Sequence, residues 1–250
     1  MPRSPSGSHE KDPSPIFMKT PAIGILMLDH TLARPPGDPG NPATFRFPVI
    51  HETVSGVTLE RLLEKDPGIL DPLTASARRL VEAGAAAVTS GCGFFIYFQE
   101  ALARLLPVPV MLSSLLQIPF IQKTLGPNRR IGVLTAHAGR LTRVHLLLAG
   151  MDPRIPVKVT GLETEPHFRA GVLVDRGRYA AGQIQEEVVS KAVALVKTDD
   201  GGPPVGAVLM ECTNLPPFAA AVQEAVKLPV FDVTTMVAHF FGAVFRSRFS

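Results

Sequence analysis

Residues 85–93 (AAAVTSGCG) and residues 205–213 (VGAVLMECT) decide the fold of this chain of 250 residues. Each stretch is a run of small or branched apolar residues that leads into a cysteine, Cys92 in the first and Cys212 in the second. A short apolar run bounded by turn-forming residues is typical of a strand that is buried on both faces. We therefore predict two buried strands, each followed closely by a cysteine.

The segments around these two strands alternate between strand and helix patterns. Strict alternation favours parallel sheets with right-handed crossovers, covered by helices on both faces. The predicted fold class is α/β, with two pseudo-symmetric open parallel-sheet domains of Rossmann-like or flavodoxin-like type, because the unit of strand, cysteine and helix occurs once in each half. Further strands are predicted at 22–28, 108–112, 130–134, 157–162 and 230–232, and helices at 71–84, 94–106, 115–125, 141–149, 179–197, 215–226 and 236–245.

This duplication also predicts the domain division. Residues 1–19 carry prolines, serines and charges without the apolar segment of a signal peptide, so we expect a disordered tail. Residues 20–128 together with 233–250 are expected to form an N-terminal α/β domain, and residues 129–232 a C-terminal one. Ligands of open parallel sheets bind outside the carboxyl ends of the strands. We therefore expect the active site in the cleft between the domains, with both thiols facing it.

The composition argues against several classes of protein. The chain has 25 Lys and Arg against 22 Asp and Glu, and the basic residues are scattered, so no nucleic-acid surface is indicated. No apolar run is long enough to cross a membrane. No His-x-x-x-His, Cys-x-x-Cys or nucleotide-binding glycine motif occurs, so we expect neither a metal nor a cofactor. Without an export signal we expect a cytoplasmic protein with two free thiols.

The cysteine motifs resemble those of a known superfamily. Residues 89–93 (TSGCG) and 211–216 (ECTNLP) are similar to the paired motifs of the aspartate/glutamate racemase superfamily, the Asp/Glu/hydantoin racemases. Maleate isomerases and arylmalonate decarboxylases belong to it as well. The resemblance implies cofactor-independent proton transfer at a carbon next to a carboxyl or carbonyl group. One cysteine takes the proton and the other delivers one to the opposite face, and a homodimer is the implied assembly.

The local chemistry is compatible with such a reaction. A free thiol has a pKa of about 8.5, and the positive end of a helix lowers it. Both cysteines precede predicted helices, so we expect lowered thiol pKa values. Backbone N–H groups at these helix starts are expected to hold a substrate carboxylate. The predicted substrate-binding residues at the strand ends are Ser90, Gly91, Gly93, Phe94, Thr135, Thr213 and Asn214.

The chain also departs from the amino-acid racemases that it resembles. Those enzymes carry Asn-Thr after the first cysteine, where this chain has Gly93 and Phe94. They carry His or Glu as an auxiliary acid or base where this chain has Asn214, which can only donate and accept hydrogen bonds. An ordinary aspartate or glutamate racemase is therefore not indicated, and we expect a small carboxylate or amide-like substrate.

Two features of the N-terminal half have two interpretations each. Asp29 follows the first strand, where the resemblance to glutamate racemases implies a carboxylate that assists one cysteine; alternatively it caps the next turn. The loop 34–47 is rich in proline and glycine. Its residues Asp38, Asn41 and Thr44 are predicted to line the cleft, and the alternative is an ordinary surface loop.

The leading hypothesis is an isomerase, namely a racemase or epimerase in which Cys92 and Cys212 are the two bases. A maleate-isomerase-like or arylmalonate-decarboxylase-like enzyme is the alternative within the same superfamily. A non-catalytic protein that binds a small acid is the alternative from another class. The sequence leaves open the identity of the substrate, which cysteine serves which enantiomer, and the role of the loop.

Overall fold

The computed structural model describes residues 21–174, 179–197 and 199–246, so the predicted tail of residues 1–19 lies outside the described residues. Eight strands lie along this part of the chain, and helices separate all of them except the first two. The strands are β1 (Ala22–Leu28), β2 (Val49–Val54), β3 (Ala85–Ser90), β4 (Val110–Met111), β5 (Arg130–Thr135), β6 (Val157–Gly161), β7 (Val205–Met210) and β8 (Val230–Phe231).

The helices lie between these strands and after the last one. The α-helices are α1 (Leu59–Leu63), α2 (Leu70–Glu82), α3 (Gln99–Leu105), α4 (Ile118–Leu125), α5 (Arg143–Leu148), α6 (Pro166–Phe168), α7 (Ala181–Lys197), α8 (Ala219–Val226) and α9 (Val233–Val244). Short 3₁₀ helices span Pro67–Ile69, Gly93–Phe98, Ser114–Gln117 and Pro216–Phe218, and a π-helix spans Arg169–Val174.

The strands form two four-stranded parallel sheets with the same internal order. The first sheet has the order β2-β1-β3-β4 and the second the order β6-β5-β7-β8. The first strand of each half therefore lies second in its sheet, next to the strand that leads to the cysteine. This arrangement confirms the predicted α/β class with two pseudo-symmetric parallel sheets.

A glycine at the same place in each half lets a helix pack closely on its sheet. A Cβ atom at Gly24 would lie 3.0 Å from the side chain of Leu80 in α2, and one at Gly132 would lie 2.9 Å from that of Leu195 in α7. The leucines are buried with the apolar strand residues. Larger residues at these two positions would push the crossover helices off the sheets.

The C-terminal helix returns to the first sheet. Val233, Met236 and Val237 of α9 pack with Ile23 of β1 and with Ala87 of β3. The chain thus crosses from the first sheet to the second and back again. The exact domain boundaries at residues 129 and 232 remain predictions.

Several elements differ from the sequence prediction. The edge strand β2 and the short helix α1 were not predicted. Three predicted helices begin with a 3₁₀ turn, those that follow Cys92, Ser113 and Asn214. Pro119 and Pro216 lie at two of these starts and have no N–H to donate to an α-helical hydrogen bond. Over the described ranges, no helix is long and apolar enough to cross a membrane.

Candidate active site

The two cysteines occupy matching positions at the carboxyl ends of β3 and β7. In the first half the backbone N–H of Gly91 donates to the carbonyl oxygen of Leu26 at 2.8 Å. In the second half the N–H of Glu211 donates to that of Leu134 at the same distance. In each half the backbone leaves the sheet at the next residue, which is Cys92 in the first half and Cys212 in the second. The matching geometry follows from the shared sheet order.

The two strand ends face each other across a small cavity of about 60 Å³. The hydroxyl of Thr213 donates to the carbonyl oxygen of Gly91 at 2.7 Å, which links the halves beside the sulfurs. Both cysteines line the cavity together with the Glu211 carboxyl group. The remaining wall is largely apolar and includes Leu28, Leu32, Leu59, Phe94, Val172 and Leu173.

Burial dominates the electrostatics of both thiols. Burial, followed by the nearby Glu211 carboxylate, raises the pKa of Cys92 to about 12. The same two causes raise the pKa of Cys212 well above its ordinary value. The N–H groups of Phe94 and Asn214 act in the opposite direction, but they do not outweigh burial. The expected lowering of the thiol pKa values at the helix starts is therefore wrong.

A chain of polar contacts reaches Cys212 from the loop of the first half. Arg34 donates to the buried carboxylate of Asp38 at 3.0 Å, and the side-chain amide of Asn214 donates to the same carboxylate at 3.0 Å. These contacts orient Asn214 so that its Oδ1 atom accepts from the Cys212 Sγ atom at 3.6 Å. The side-chain oxygen of Asn214 thus favours the protonated form of Cys212, whereas its backbone N–H acts in the opposite direction.

A wider cleft of about 420 Å³ lies outside the cavity. Leu59, Phe94, Ala136 and Leu173 line both spaces and form the wall between them. Arg140, Arg169, His137 and Glu163 lie on the outer side of this wall.

Comparison with known proteins gives a family for this chain. The chain is 31% identical over 250 residues to a dimethylsulfoniopropionate lyase of Durusdinium sp. clade D, and the match covers 96% of this chain and 79% of that protein. The chain belongs to the dimethylsulfoniopropionate lyase family. It is 29% identical over 242 residues to dimethylsulfoniopropionate lyase 7 of Emiliania huxleyi, covering 94% of this chain and 70% of that one. It spans 57% of lyase 6 of that organism, at 31% identity. No protein-family profile matches the chain.

Solved structures share the fold. Unliganded arylmalonate decarboxylase is 18% identical with a TM-score of 0.58, covering 92% of this chain and 94% of the other. A glutamate racemase of Bacillus anthracis is 12% identical with a TM-score of 0.52, and the match covers 90% of this chain and 83% of the other. Allantoin racemase of Pseudomonas fluorescens is 16% identical with a TM-score of 0.54, and the match covers 89% of this chain and 90% of the other. The fold predicted from the resemblance to the aspartate/glutamate racemase superfamily is therefore confirmed.

Membership of the dimethylsulfoniopropionate lyase family supports an enzyme. Its relatives are named lyases, whereas the sequence analysis favoured an isomerase. Both reaction classes can begin with removal of a proton from a carbon next to a carboxyl group. Among the described residues, no group of three or more His, Cys, Asp or Glu side chains is arranged to hold a metal ion.

The structure brings most of the predicted site residues together. Two of them stand behind the cavity rather than in it. The Ser90 hydroxyl donates to the carbonyl oxygen of Leu112 at 2.6 Å, and its oxygen also lies 2.9 Å from the carbonyl oxygen of Cys92, so Ser90 packs against the turn that carries the first sulfur. The Thr135 hydroxyl donates to Glu211 Oε2 at 2.7 Å. The predicted residues that line the cavity are Gly91, Cys92, Gly93, Phe94, Cys212, Thr213 and Asn214.

Three predicted residues are not brought to the cavity. Asp29 is exposed, and its carboxylate accepts from the N–H of Gly56 at 2.8 Å, so the structure favours the turn-capping interpretation. Asn41 donates to the carbonyl oxygen of Arg34, and Thr44 donates to that of Asp38. Both side chains are engaged inside the loop, and they shape it rather than line the cavity.

Sequence reasoning missed Glu211 and Arg34 as site components, and it named Asp38 for the cleft without its partners Arg34 and Asn214. Glu211 lay inside the quoted cysteine motif, directly after a buried strand, and a carboxyl group at such a strand end was a signal that could have been used. The ion pair had no comparable signal. Only the folded path of the loop brings Asp38 to Asn214.

Proposed function

We propose that this member of the dimethylsulfoniopropionate lyase family is a cofactor-independent lyase. It removes a proton from the carbon next to a carboxylate and expels a group from the following carbon. The observation that carries the proposal is the facing pair of Cys92 and Cys212 in one small, largely apolar cavity, in a chain whose relatives carry this lyase name. Dimethylsulfoniopropionate is the substrate to test first.

The proposed step balances without any added reagent. A cysteine thiolate takes the proton from the carbon next to the carboxylate, and the electron pair of that C–H bond forms a carbon–carbon double bond. The bond between the next carbon and the sulfonium sulfur breaks, and its electrons leave with neutral dimethyl sulfide. Acrylate is the second product. The proton on the thiol returns to solvent, which restores the thiolate.

The contacts around the sulfurs support different roles for the two thiols. Asn214 Oδ1 accepts a hydrogen bond from Cys212, which favours the thiol form, so Cys212 is the proton donor or the neutral partner. Arg34 acts on Cys92 to lower its pKa. One backbone N–H lowers the pKa of each thiol, that of Phe94 for Cys92 and that of Asn214 for Cys212, so these groups do not distinguish the two. We assign Cys92 as the base. A thiolate whose conjugate thiol has a high pKa is a strong base toward a weakly acidic C–H bond.

The test follows dimethyl sulfide and acrylate from dimethylsulfoniopropionate with the wild type, Cys92→Ser and Cys212→Ser. We expect at least a 1,000-fold loss of kcat/KM for Cys92→Ser, because serine is a far poorer base, and a smaller loss for Cys212→Ser. Asp29→Asn is the matched control and is expected to stay within about 3-fold of wild type, because Asp29 lies outside the cavity. Full activity of Cys92→Ser would contradict the proposed base.

A racemase or epimerase is the second candidate, and one observation favours it. Two thiols supplied by opposite halves of the molecule suit proton transfer on the two faces of one carbon. Incubation in deuterated water separates the two reactions. Deuterium incorporation into a recovered chiral carboxylate or hydantoin, with no elimination from dimethylsulfoniopropionate, would favour the racemase. Absence of both reactions would favour the small-acid-binding protein.

A further inference from the structure

Glu211 stands out among the groups that line the cavity. Its side chain is 1% exposed, and its Oε2 atom accepts from the Thr135 hydroxyl at 2.7 Å. Its Oε1 atom is buried and has no hydrogen-bond partner. A Cβ atom built at Gly93 would lie 2.1 Å from Oε1, so this atom lies directly against the backbone of the first half. One carboxylate oxygen is therefore held, and the other is unpartnered beside the two sulfurs.

Although His30 lines the same cavity, the structure shows no ion-pair partner for the Glu211 carboxylate among the described residues. Within the described ranges, no lysine, arginine or histidine lies within ion-pairing distance of this carboxylate. The nearby guanidinium of Arg34 is already paired with Asp38. An ionised carboxylate buried without a partner is costly and is relieved by a proton or by a cation. Burial raises the pKa of Glu211 to about 7.

The cavity wall suits a cation that also carries apolar groups. Leucine side chains and Phe94 make up much of the wall of the cavity that Glu211 lines, and His30 lies in the same wall. A sulfonium or quaternary ammonium group presents methyl groups to such a wall and its charge to the carboxylate, without needing hydrogen-bond acceptors. A primary ammonium group would need three acceptors, which an apolar wall does not supply.

We propose that the Glu211 carboxylate holds the cationic group of the substrate and selects short carboxylates that carry a methylated sulfonium or ammonium group on the second carbon from the carboxylate. This inference rests on the proposed function, because it names the group that the lyase expels. Thr135 is a positioning residue that fixes the carboxylate through Oε2. A cation placed there also favours the thiolate form of the adjacent cysteines.

Two probes of the same shape, one with a cationic group and one neutral, test this assignment by binding alone, without turnover. The cationic probe is 3-(trimethylammonio)propionate, whose amine is a poor leaving group, and the neutral probe is 4,4-dimethylpentanoate, in which carbon replaces nitrogen. Their dissociation constants are measured by calorimetry at pH 8 with the wild type, Glu211→Gln and Glu163→Gln. Glu163 lines the outer cleft and serves as the matched carboxylate control.

We expect the wild type and Glu163→Gln to bind the cationic probe at least 10-fold more tightly than the neutral one. In Glu211→Gln the ratio is expected to fall to about 1. Equal binding of both probes by the wild type would overturn the assignment, and so would an unchanged ratio in Glu211→Gln. Dimethyl sulfide release is measured separately on the same preparations. A wild type that binds both probes equally but releases dimethyl sulfide would refute the Glu211 assignment alone. A wild type that prefers the cationic probe but releases no dimethyl sulfide would refute the proposed function alone.

Discussion

The two halves of the molecule share their sheet order and the turn that presents the cysteine, but they differ in the residues beside the sulfur. Gly91, Gly93 and Phe94 in the first half correspond to Glu211, Thr213 and Asn214 in the second. The first half therefore provides space and apolar surface, while the second provides a carboxyl group, a hydroxyl group and an amide. A duplicated fold has kept both thiols and has made their surroundings unequal.

A second pair of positions explains how each half accommodates its own residue. Thr135 in β5 corresponds to Met27 in β1. Thr135 donates to Glu211, whereas the tip of Met27 fills the space next to Gly91, where an added Cβ atom would lie 2.7 Å from its Sδ atom. Methionine is an adaptable filler of such gaps. The carboxylate thus has a hydrogen-bond donor in one half only.

The loops that follow β1 and β5 differ as well. The loop after β1 crosses to the second half, where Asp38 accepts from Asn214. Gly37 lies so close to Pro217 that a Cβ atom would be 2.7 Å from the proline Cα, and its φ of +102° also favours glycine. One half therefore supplies the contact that orients the amide beside the other half's cysteine.

Among the differences between the two halves, closing the space at Gly93 is expected to have the largest effect. A Cβ atom there would lie 2.1 Å from Glu211 Oε1 and 2.7 Å from the Glu211 carbonyl oxygen, and the backbone atom cannot rotate away. We expect Gly93→Ala to reduce dimethyl sulfide release at least 100-fold and to lower the free energy of unfolding by about 2 kcal/mol. Enzyme assay and urea unfolding measure the two effects.

Gly91→Ala is the matched control from the same turn. Its Cβ atom would meet the flexible end of Met27, which can change rotamer, so we expect a cost below about 1 kcal/mol and a loss of activity below 10-fold. A Gly91→Ala variant that is more damaged than Gly93→Ala would contradict the unequal packing of the two halves.

The repeated parts of the fold were the ones that could be predicted from sequence. The buried strands β1, β3, β5 and β7 are continuous apolar runs, and periodicity identifies such runs well. The edge strand β2 was missed because only one of its residues, Val54, is fully buried, and its sequence VIHETV mixes polar and apolar residues. A half-exposed strand is defined by its pairing with β1, which sequence alone does not display.

The site was predictable to the extent that it depends on strand ends. Both cysteines, with Gly93 and Asn214, could be placed in one cleft because parallel strands of facing sheets end there. The thiol pKa values were predicted with the wrong sign, because helix starts were considered without the burial and the carboxylate that outweigh them. The contact of Asp38 with Asn214 depends on a long-range loop path, which local patterns do not encode.

The second expected effect concerns the charge that only one half carries. The Glu211 pKa rises from 4.5 to about 7 on folding, so the folded state holds this proton more tightly than the unfolded state does. Ionisation of Glu211 therefore lowers the free energy of unfolding. This loss is complete above pH 7 and absent below pH 4.5. Between pH 5 and pH 8 the wild type should lose roughly 2 kcal/mol more stability than Glu211→Gln.

Urea unfolding of both proteins at several pH values measures this difference. The pKa values of Cys92 and Cys212 lie above this range, so the thiols do not mimic the effect. Parallel stability curves for the wild type and Glu211→Gln would show that the carboxyl group does not ionise inside a closed cavity.

The smallest expected effect comes from the hydroxyl that only the second half possesses. Thr213 donates to the carbonyl oxygen of Gly91 at 2.7 Å, and the corresponding Gly93 has no side chain to return the contact. Thr213→Val keeps the shape but leaves that carbonyl oxygen without its donor, so we expect a loss of about 1 kcal/mol in the free energy of unfolding. Thr213→Ser retains the hydroxyl, so its free energy of unfolding should stay close to that of the wild type. If valine and serine are equally stable, the halves are held together by apolar packing and by contacts such as that of Ser114 with Met210, rather than by this hydrogen bond.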